Sequence, residues 1–388
     1  MKSIARNIRL ITWFNFFTDL RFFAPVLVIY YEKVAGSYTL GLSVFSIIFI
    51  TAALLEVPTG IFSDKIGRKM TMALGALAYV VGLTFLAVAN SYPLLVIGGI
   101  FEGLARSLYS GNNNALLHDT LKELEQENDY HHHLGKTSSM FQIASGTAAI
   151  LGGIIASFSF TLVIWLSVLS QIACFILSLF IIEPKIFSKS ESGNIYQHLF
   201  TSFKIFLANK KLRLLGIAEM ISNGLGNAGF EFQAAWYAMI WPTWALGIAR
   251  TISNITAAFG YYFGGKIINR FSAIKTLMAE TIIVPVVKTL SVTFSTIISP
   301  VLAASMSIFY GPSVVAGETL RQKEFTDEQR ATLGSIVSFG SSLVNSVSAI
   351  FIGILADKFG VVTAIITTQA ILFLTLNTLY LKVYKIKN

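Results

Sequence analysis

Four ionisable residues stand inside two strongly apolar stretches of this chain: Asp19 and Arg21 in the first, Glu102 and Arg106 in the second. If those stretches are helical, Asn15 precedes Asp19 by one turn on the same face, and Tyr109 and Asn113 continue the Glu102–Arg106 face. Charges of this kind at bilayer depth are costly and are functional candidates by default. Two chemistries fit them. They form a structural ion-pair network, or a carboxylate takes up and releases a proton as its surroundings dry and wet. A third stretch repeats polar residues every four positions, Glu219, Asn223, Asn227 and Glu231, with Gly224, Gly226 and Gly229 offering places for a helix break. One polar face of that kind points to a cavity lining, which Gln233, Trp236 and Tyr237 extend. A fourth stretch offers no central charge, only Ser305, Ser307, Tyr310 and the helix-disturbing pair Gly311-Pro312. Arg250 lies deep enough to need a partner, whereas Lys288 can snorkel to an interface.

The elements that hold these residues must be membrane helices. Of 388 residues, 54% are hydrophobic and 13% charged, against roughly 25% charged in ordinary soluble domains, and the mean hydropathy is +0.67. Twelve apolar spans follow one another: roughly 9–31, 38–62, 70–90, 93–118, 137–158, 160–182, 212–240, 244–266, 273–291, 294–318, 332–356 and 361–382. They are apolar on all sides, without the alternation of barrel strands, so each is expected to satisfy its backbone as a helix. At 1.5 Å per residue, Asp19, Arg21, Glu102 and Arg106 sit about 15–24 Å from the cytoplasmic span ends, close to the midplane. The longest gap, 183–211, opens with Glu183-Pro184 and divides the chain into halves, 1–182 and 212–388. The charged loop Asp119–Lys136 reads as a short surface helix or a mobile segment.

The net charge is +9, but the basic residues fall at the termini and on alternate loops rather than in one patch. That pattern excludes a nucleic-acid surface and places both termini in the cytoplasm. No cleavable signal peptide is expected, because the first apolar run carries Asp19 and Arg21. The single cysteine, Cys174, reads as a small packing residue.

The loop after the second span reads Gly60-Ile-Phe-Ser-Asp64-Lys-Ile-Gly67-Arg68-Lys69. A faded copy, Gly265 through Asn269 and Ser272 to Lys275, follows the eighth span, and a third, Gly353 through Asp357 to Gly360, follows the eleventh. Gly60, Asp64, Gly67, Arg68 and Lys69 fit every fixed position of the G-x-x-x-D-x-x-G-R-K/R loop, and on these residues the chain resembles the major facilitator superfamily. The resemblance implies an all-α membrane protein of twelve transmembrane helices in two pseudo-symmetric six-helix bundles, with spans one, four, seven and ten lining a cavity. It also implies a cytoplasmic gating loop in which Asp64 meets the start of span eleven near Ala331–Ser335 and Arg68 pairs with Asp119. Glu56 is expected to support that loop. In span five, Gly152-Gly153 match the end of the drug and proton antiporter motif, but Ala144 and Ala148-Ala149 replace its earlier Gly and Gly-Pro.

No nucleotide-binding loop of the G-x-x-x-x-G-K-[ST] type is present. His131-His132-His133 lacks metal-ligand geometry, and no nucleophile, base and orienter set stands out. The expectation is a non-enzymatic protein without cofactor or metal, monomeric, in a bacterial cytoplasmic membrane, taking a small-molecule substrate and protons as partners. Its function would be secondary active transport by alternating access, as proton-coupled export of small amphipathic or drug-like compounds, with Asp19 and Glu102 as leading proton carriers. The alternatives are a proton-coupled or facilitative nutrient importer and, from another class, a non-transporting membrane sensor or lipid-moving protein.

Overall fold

The computed structural model of the protein describes residues 4–185, 203–204, 206–322 and 327–386, without the side chains of 131, 322 and 327–333. Among the described residues the long elements are all helices. In chain order they are α1 (Arg6–Asp19), α2 (Leu27–Ala35), α3 (Tyr38–Ile66), α4 (Arg68–Ala87), α5 (Tyr92–Tyr109), α6 (Asn112–Glu123), α7 (Tyr130–Ala156) and α8 (Phe160–Leu179). After the linker follow α9 (Lys210–Ile240), α10 (Thr243–Phe271), α11 (Ala273–Thr293), α12 (Ser299–Ser305), α13 (Tyr310–Gln322), α14 (Asp327–Phe359) and α15 (Val361–Lys385). They account for the twelve spans one by one. Spans one, four and ten are each made of two helices, α1 with α2, α5 with α6, and α12 with α13. Eight spans are long and apolar enough to cross a membrane by length and composition alone. The other four are those that carry Asp19 and Arg21, Glu102 and Arg106, the Glu219–Glu231 stripe, and Arg250. The segment Asp119–Lys136 is largely helical, shared between α6, a 3-10 turn at Glu127–Asp129 and the start of α7.

Two compact units divide the chain near the linker, with two short exchanges: Ser37–Ser46 belongs to the second unit and Thr243–Ile248 to the first. The first unit packs around Ile11, Phe14, Met72, Leu116, Leu121 and Cys174. In the second, Leu215, Ala218, Leu277, Ala316, Leu376 and Tyr380 form the core. Apolar residues are nonetheless left exposed, among them Phe158 at 82%, Tyr262 at 76% and Ile297 at 72%. Hydrocarbon, not water, is the solvent such surfaces suit.

The break in span one shows how sequence builds an interruption inside the membrane. Pro25 has no N–H to give and disfavours helix before it, and the chain leaves α1 at Leu20. The freed backbone groups are then met by α8: the Phe22 N–H donates to Ser167 Oγ at 3.0 Å, and Gln171 Nε2 donates to the Thr18 carbonyl at 3.1 Å. Gly152 makes room for the turn, since a Cβ there would lie 1.9 Å from the Phe22 carbonyl oxygen. Its neighbour Gly153 packs just as closely, on the backbone of Trp244 and Gly247. The glycine pair of span five thus serves two backbone approaches.

Span four is interrupted at Ser110-Gly111, where Gly111 adopts φ +70°. The single helical face expected to carry Glu102, Arg106, Tyr109 and Asn113 therefore ends at Tyr109, and Asn113 begins a new helix. In span ten the irregular turn is Met306–Phe309, ahead of Gly311-Pro312, which lie in the first turn of α13. Span seven, by contrast, is unbroken. Gly224 gives close packing rather than a hinge: a Cβ there would meet Val344 at 2.6 Å, and Asn345 Nδ2 donates to the Gly224 carbonyl at 3.1 Å.

Candidate functional site

In the first unit the midplane charges form two local pairs joined through a tyrosine. Arg21 Nη2 lies 3.6 Å from Asp19 Oδ1, just past the end of α1. On α5, Arg106 Nη2 and Nε donate to Glu102 Oε1 at 2.9 and 3.2 Å, the one-turn spacing read from sequence. Tyr79 of α4 links the two: its hydroxyl donates to Glu102 Oε1 at 3.1 Å, while the Arg21 guanidinium lies over its ring at 5.4 Å. Tyr79 also stacks on Tyr109. Glu102 is buried and Asp19 half-buried, so one carboxylate is held tightly and the other stands more open. Sequence reading missed Tyr79. Its signal was a phenol hydroxyl deep in an apolar span, which needs a polar partner there.

The motif loop between α3 and α4 is built within the same unit. Arg68 Nη2 is 3.3 Å from Asp64 Oδ1, and Arg68 Nε is 3.8 Å from Asp119 Oδ2. Asn112, at the start of α6, donates to the Arg68 carbonyl at 3.0 Å and accepts from Ser63 Oγ at 2.9 Å. Gly67 takes φ +97°, a conformation glycine adopts without strain. The linker contributes as well: Glu183 accepts the N–H of Arg68 at 2.6 Å and of Lys69 at 2.7 Å, a carboxylate at the positive end of α4. Lys69 is half-buried beside it. Glu56 accepts from Ser110 Oγ at 3.1 Å, at the break in span four. The expected contact of Asp64 with the start of span eleven, the linker over 186–202 and the His131 side chain fall outside the described residues.

In the second unit the four-residue stripe of α9 divides between two sites. Glu231 holds Arg250 of α10 through two parallel hydrogen bonds at 3.0 and 3.1 Å, which supplies the partner Arg250 required. Asn227 is exposed. Glu219 and Asn223 instead face a cavity of about 160 Å³, lined also by Glu280 of α11, Tyr310, Ser313, Glu318 and Arg321 of α13, and Tyr380 of α15. Arg321 bridges Glu219, at 2.5 Å, and Glu318. Span ten carries no charge at its centre, but it brings Glu318 and Arg321 to a cavity at its far end. Glu280 was overlooked altogether, although a lone acid in an apolar span is the same signal that singled out Asp19.

A helical chain whose spans are interrupted at polar clusters and enclose charges within each unit is a polytopic membrane protein. Residues 10–246 match the family model of the Major Facilitator Superfamily, and the chain belongs to that family. It is an integral membrane protein and a secondary transporter of this type. An MFS-type transporter of Methanocaldococcus jannaschii, MJ1560, is 22% identical over 371 residues, 93% of this chain and 94% of that one. The quinolone resistance protein NorA of Staphylococcus aureus is 23% identical over 355 residues, 89% of this chain and 88% of that one. Among solved structures, a bacterial homologue of the human lysosomal transporter Spinster, in an inward-facing conformation, superposes with a TM-score of 0.80 at 14% identity, covering 98% of this chain and 97% of that one.

Proposed function

We propose that the protein works by alternating access as a proton-coupled exporter of small amphipathic or drug-like compounds. The observation that carries this reading is the Asp19, Arg21, Tyr79, Glu102, Arg106 cluster: two carboxylates of unequal exposure, each beside an arginine, linked by Tyr79, whose hydroxyl meets Glu102 and whose ring meets Arg21. A proton taken by Asp19 releases Arg21 from its pair. Arg21 also lies over the Tyr79 ring, so its release alters the contact with the tyrosine whose hydroxyl supports Glu102. A change of protonation at one acid is thus felt at the other, which is what coupling requires. The similarity to NorA, a quinolone resistance protein, supports export and a drug-like cargo. Asn113, Asn223, Asn227, Glu219, Glu231 and Tyr310 supply further polar positions, and Gly60, Asp64, Gly67, Arg68, Lys69 and Asp119 form the gate. The protein acts as a monomer in a bacterial cytoplasmic membrane, with both termini inside.

Purified protein in liposomes with an imposed proton gradient tests this reading, with dye flux and internal pH followed together. Gradient-driven flux is expected in the native protein and its loss in Asp19→Asn and Glu102→Gln. Normal coupling in both variants would remove these acids from the mechanism, and no gradient-dependent flux of any compound would remove the mechanism itself.

A further inference from the structure

The cavity of the second unit is not neutral. Three carboxylates line it, Glu219, Glu280 and Glu318, against one guanidinium, Arg321. Arg321 is engaged by Glu219 and Glu318. Glu280 faces Ser313, which is only 9% exposed and whose hydroxyl lies beside the Glu280 carboxylate without a well-formed hydrogen bond. Lys288, the ammonium in the field of Glu280, is eight residues further along α11, about 12 Å of helix, and does not line the cavity. The lining thus sets three acids against one guanidinium, a formal excess of two negative charges when all three are ionised, and a carboxylate left without a partner there is costly to keep charged.

The remaining wall decides what kind of cation balances it. Leu215, Leu277, Val314 and Tyr380 present apolar and aromatic surface between the acids. A hard metal ion asks for six or more oxygens, whereas an alkylated ammonium is met by a carboxylate on one side and by hydrocarbon or aromatic rings on the others. The volume of 160 Å³ equals about five waters at roughly 30 Å³ each, enough for a compact head group. We propose that this cavity binds the ammonium group of a cationic amphipathic compound, with Glu280 as its counter-ion, Ser313 beside that carboxylate, and the rings of Tyr310 and Tyr380 as walls. That this compound is the cargo rests on the transport reading above; the binding itself does not.

The test is calorimetric titration of the full chain in detergent with benzyltrimethylammonium. Saturable one-to-one binding is expected, weakened about tenfold or more in Glu280→Gln and less in Glu280→Asp, which keeps the charge. Gly317 lines the cavity and has open space where a side chain would project. Gly317→Leu therefore starts a side chain from open space on the cavity wall, and is expected to abolish binding while the protein unfolds at its normal temperature. This variant decides the matter if Glu280→Gln does not fold. No saturable binding by the native protein, or native affinity in either Glu280→Gln or Gly317→Leu, would overturn the proposal. Binding that survives while gradient-driven flux is absent refutes the coupling reading and leaves this one standing; gradient-driven flux without ammonium binding does the reverse.

Discussion

The third copy of the loop motif, Gly353 to Gly360, gives a prediction that can be worked atom by atom. The first N–H groups of a helix have no acceptor within it, and in α3 each one is accounted for. The N–H groups of Tyr38 and Thr39 donate to the two oxygens of Asp357 at 2.8 Å each, and the Thr39 hydroxyl donates to the same carboxylate at 2.5 Å. Leu40 donates to Ser37 Oγ and Gly41 to the Ser37 carbonyl. Gly353 permits the approach, because a Cβ there would lie 2.6 Å from Thr39 Cα. Asp357→Ala removes the carboxylate that accepts from two amides and a hydroxyl. Hydrogen bonds to charged acceptors contribute about 1.5–3 kcal/mol, but Asp357 is exposed, so the loss is set nearer the range for helix caps, about 1–2 kcal/mol. Local opening of the first turn then rises by roughly five- to thirtyfold. Hydrogen exchange of a peptide covering residues 37–46 reads this directly. Asp357→Asn, which keeps one carbonyl acceptor, should fall between. Exchange within twofold of the native rate in Asp357→Ala would show that the carboxylate does not hold this helix start.

Two further outcomes follow from the same kind of accounting. Replacing Glu183 by Ala leaves the Arg68 and Lys69 amides without their carboxylate and should destabilise the protein by about 1 kcal/mol, measured by unfolding in detergent; no change would detach the linker from the motif. Glu231→Gln and Arg250→Met each break a two-bond pair whose side chains are 29% and 23% exposed. Each single change should cost about 1–3 kcal/mol, below the range for fully buried pairs, and the double variant less than the sum, which a double-mutant cycle resolves.

Much of the fold was legible because lipid leaves the backbone few options. Once twelve apolar spans and their alternating basic loops were counted, helices followed, and one short loop named the family. The positions of Glu102 and Arg106 on one face followed from their spacing of four. What could not be read was anything depending on which helices touch. Glu231 finding Arg250, and Arg321 joining Glu219 to Glu318, unite residues 19 and 102 positions apart. Glu183 acts through two hydrogen bonds to backbone amides, for which composition carries no trace, and the phenol of Tyr79 signalled the need of a polar partner without saying which. Glu280 is a different failure, since its type and depth were visible and only the rule already applied to Asp19 was not carried through.

The three interrupted spans bear on the function in a way that charge alone does not. An irregular backbone at bilayer depth is tolerated where protein or a wet cavity satisfies its freed groups. In span one the break directly follows Asp19 and includes Arg21; in span four it follows Arg106 by one turn; in span ten it precedes Tyr310, at the edge of the acidic cavity. Each break therefore sits at a polar cluster, and side chains meet backbone groups beside each: Ser167 and Gln171 for the first, the Thr59 hydroxyl on the Ser107 carbonyl for the second, and the Ser253 hydroxyl on the Ala304 carbonyl for the third. Two independent costs, an ionised side chain and an unpaired backbone, fall at the same places. A chain under no demand to move polar matter through its interior would have no reason to bear both together.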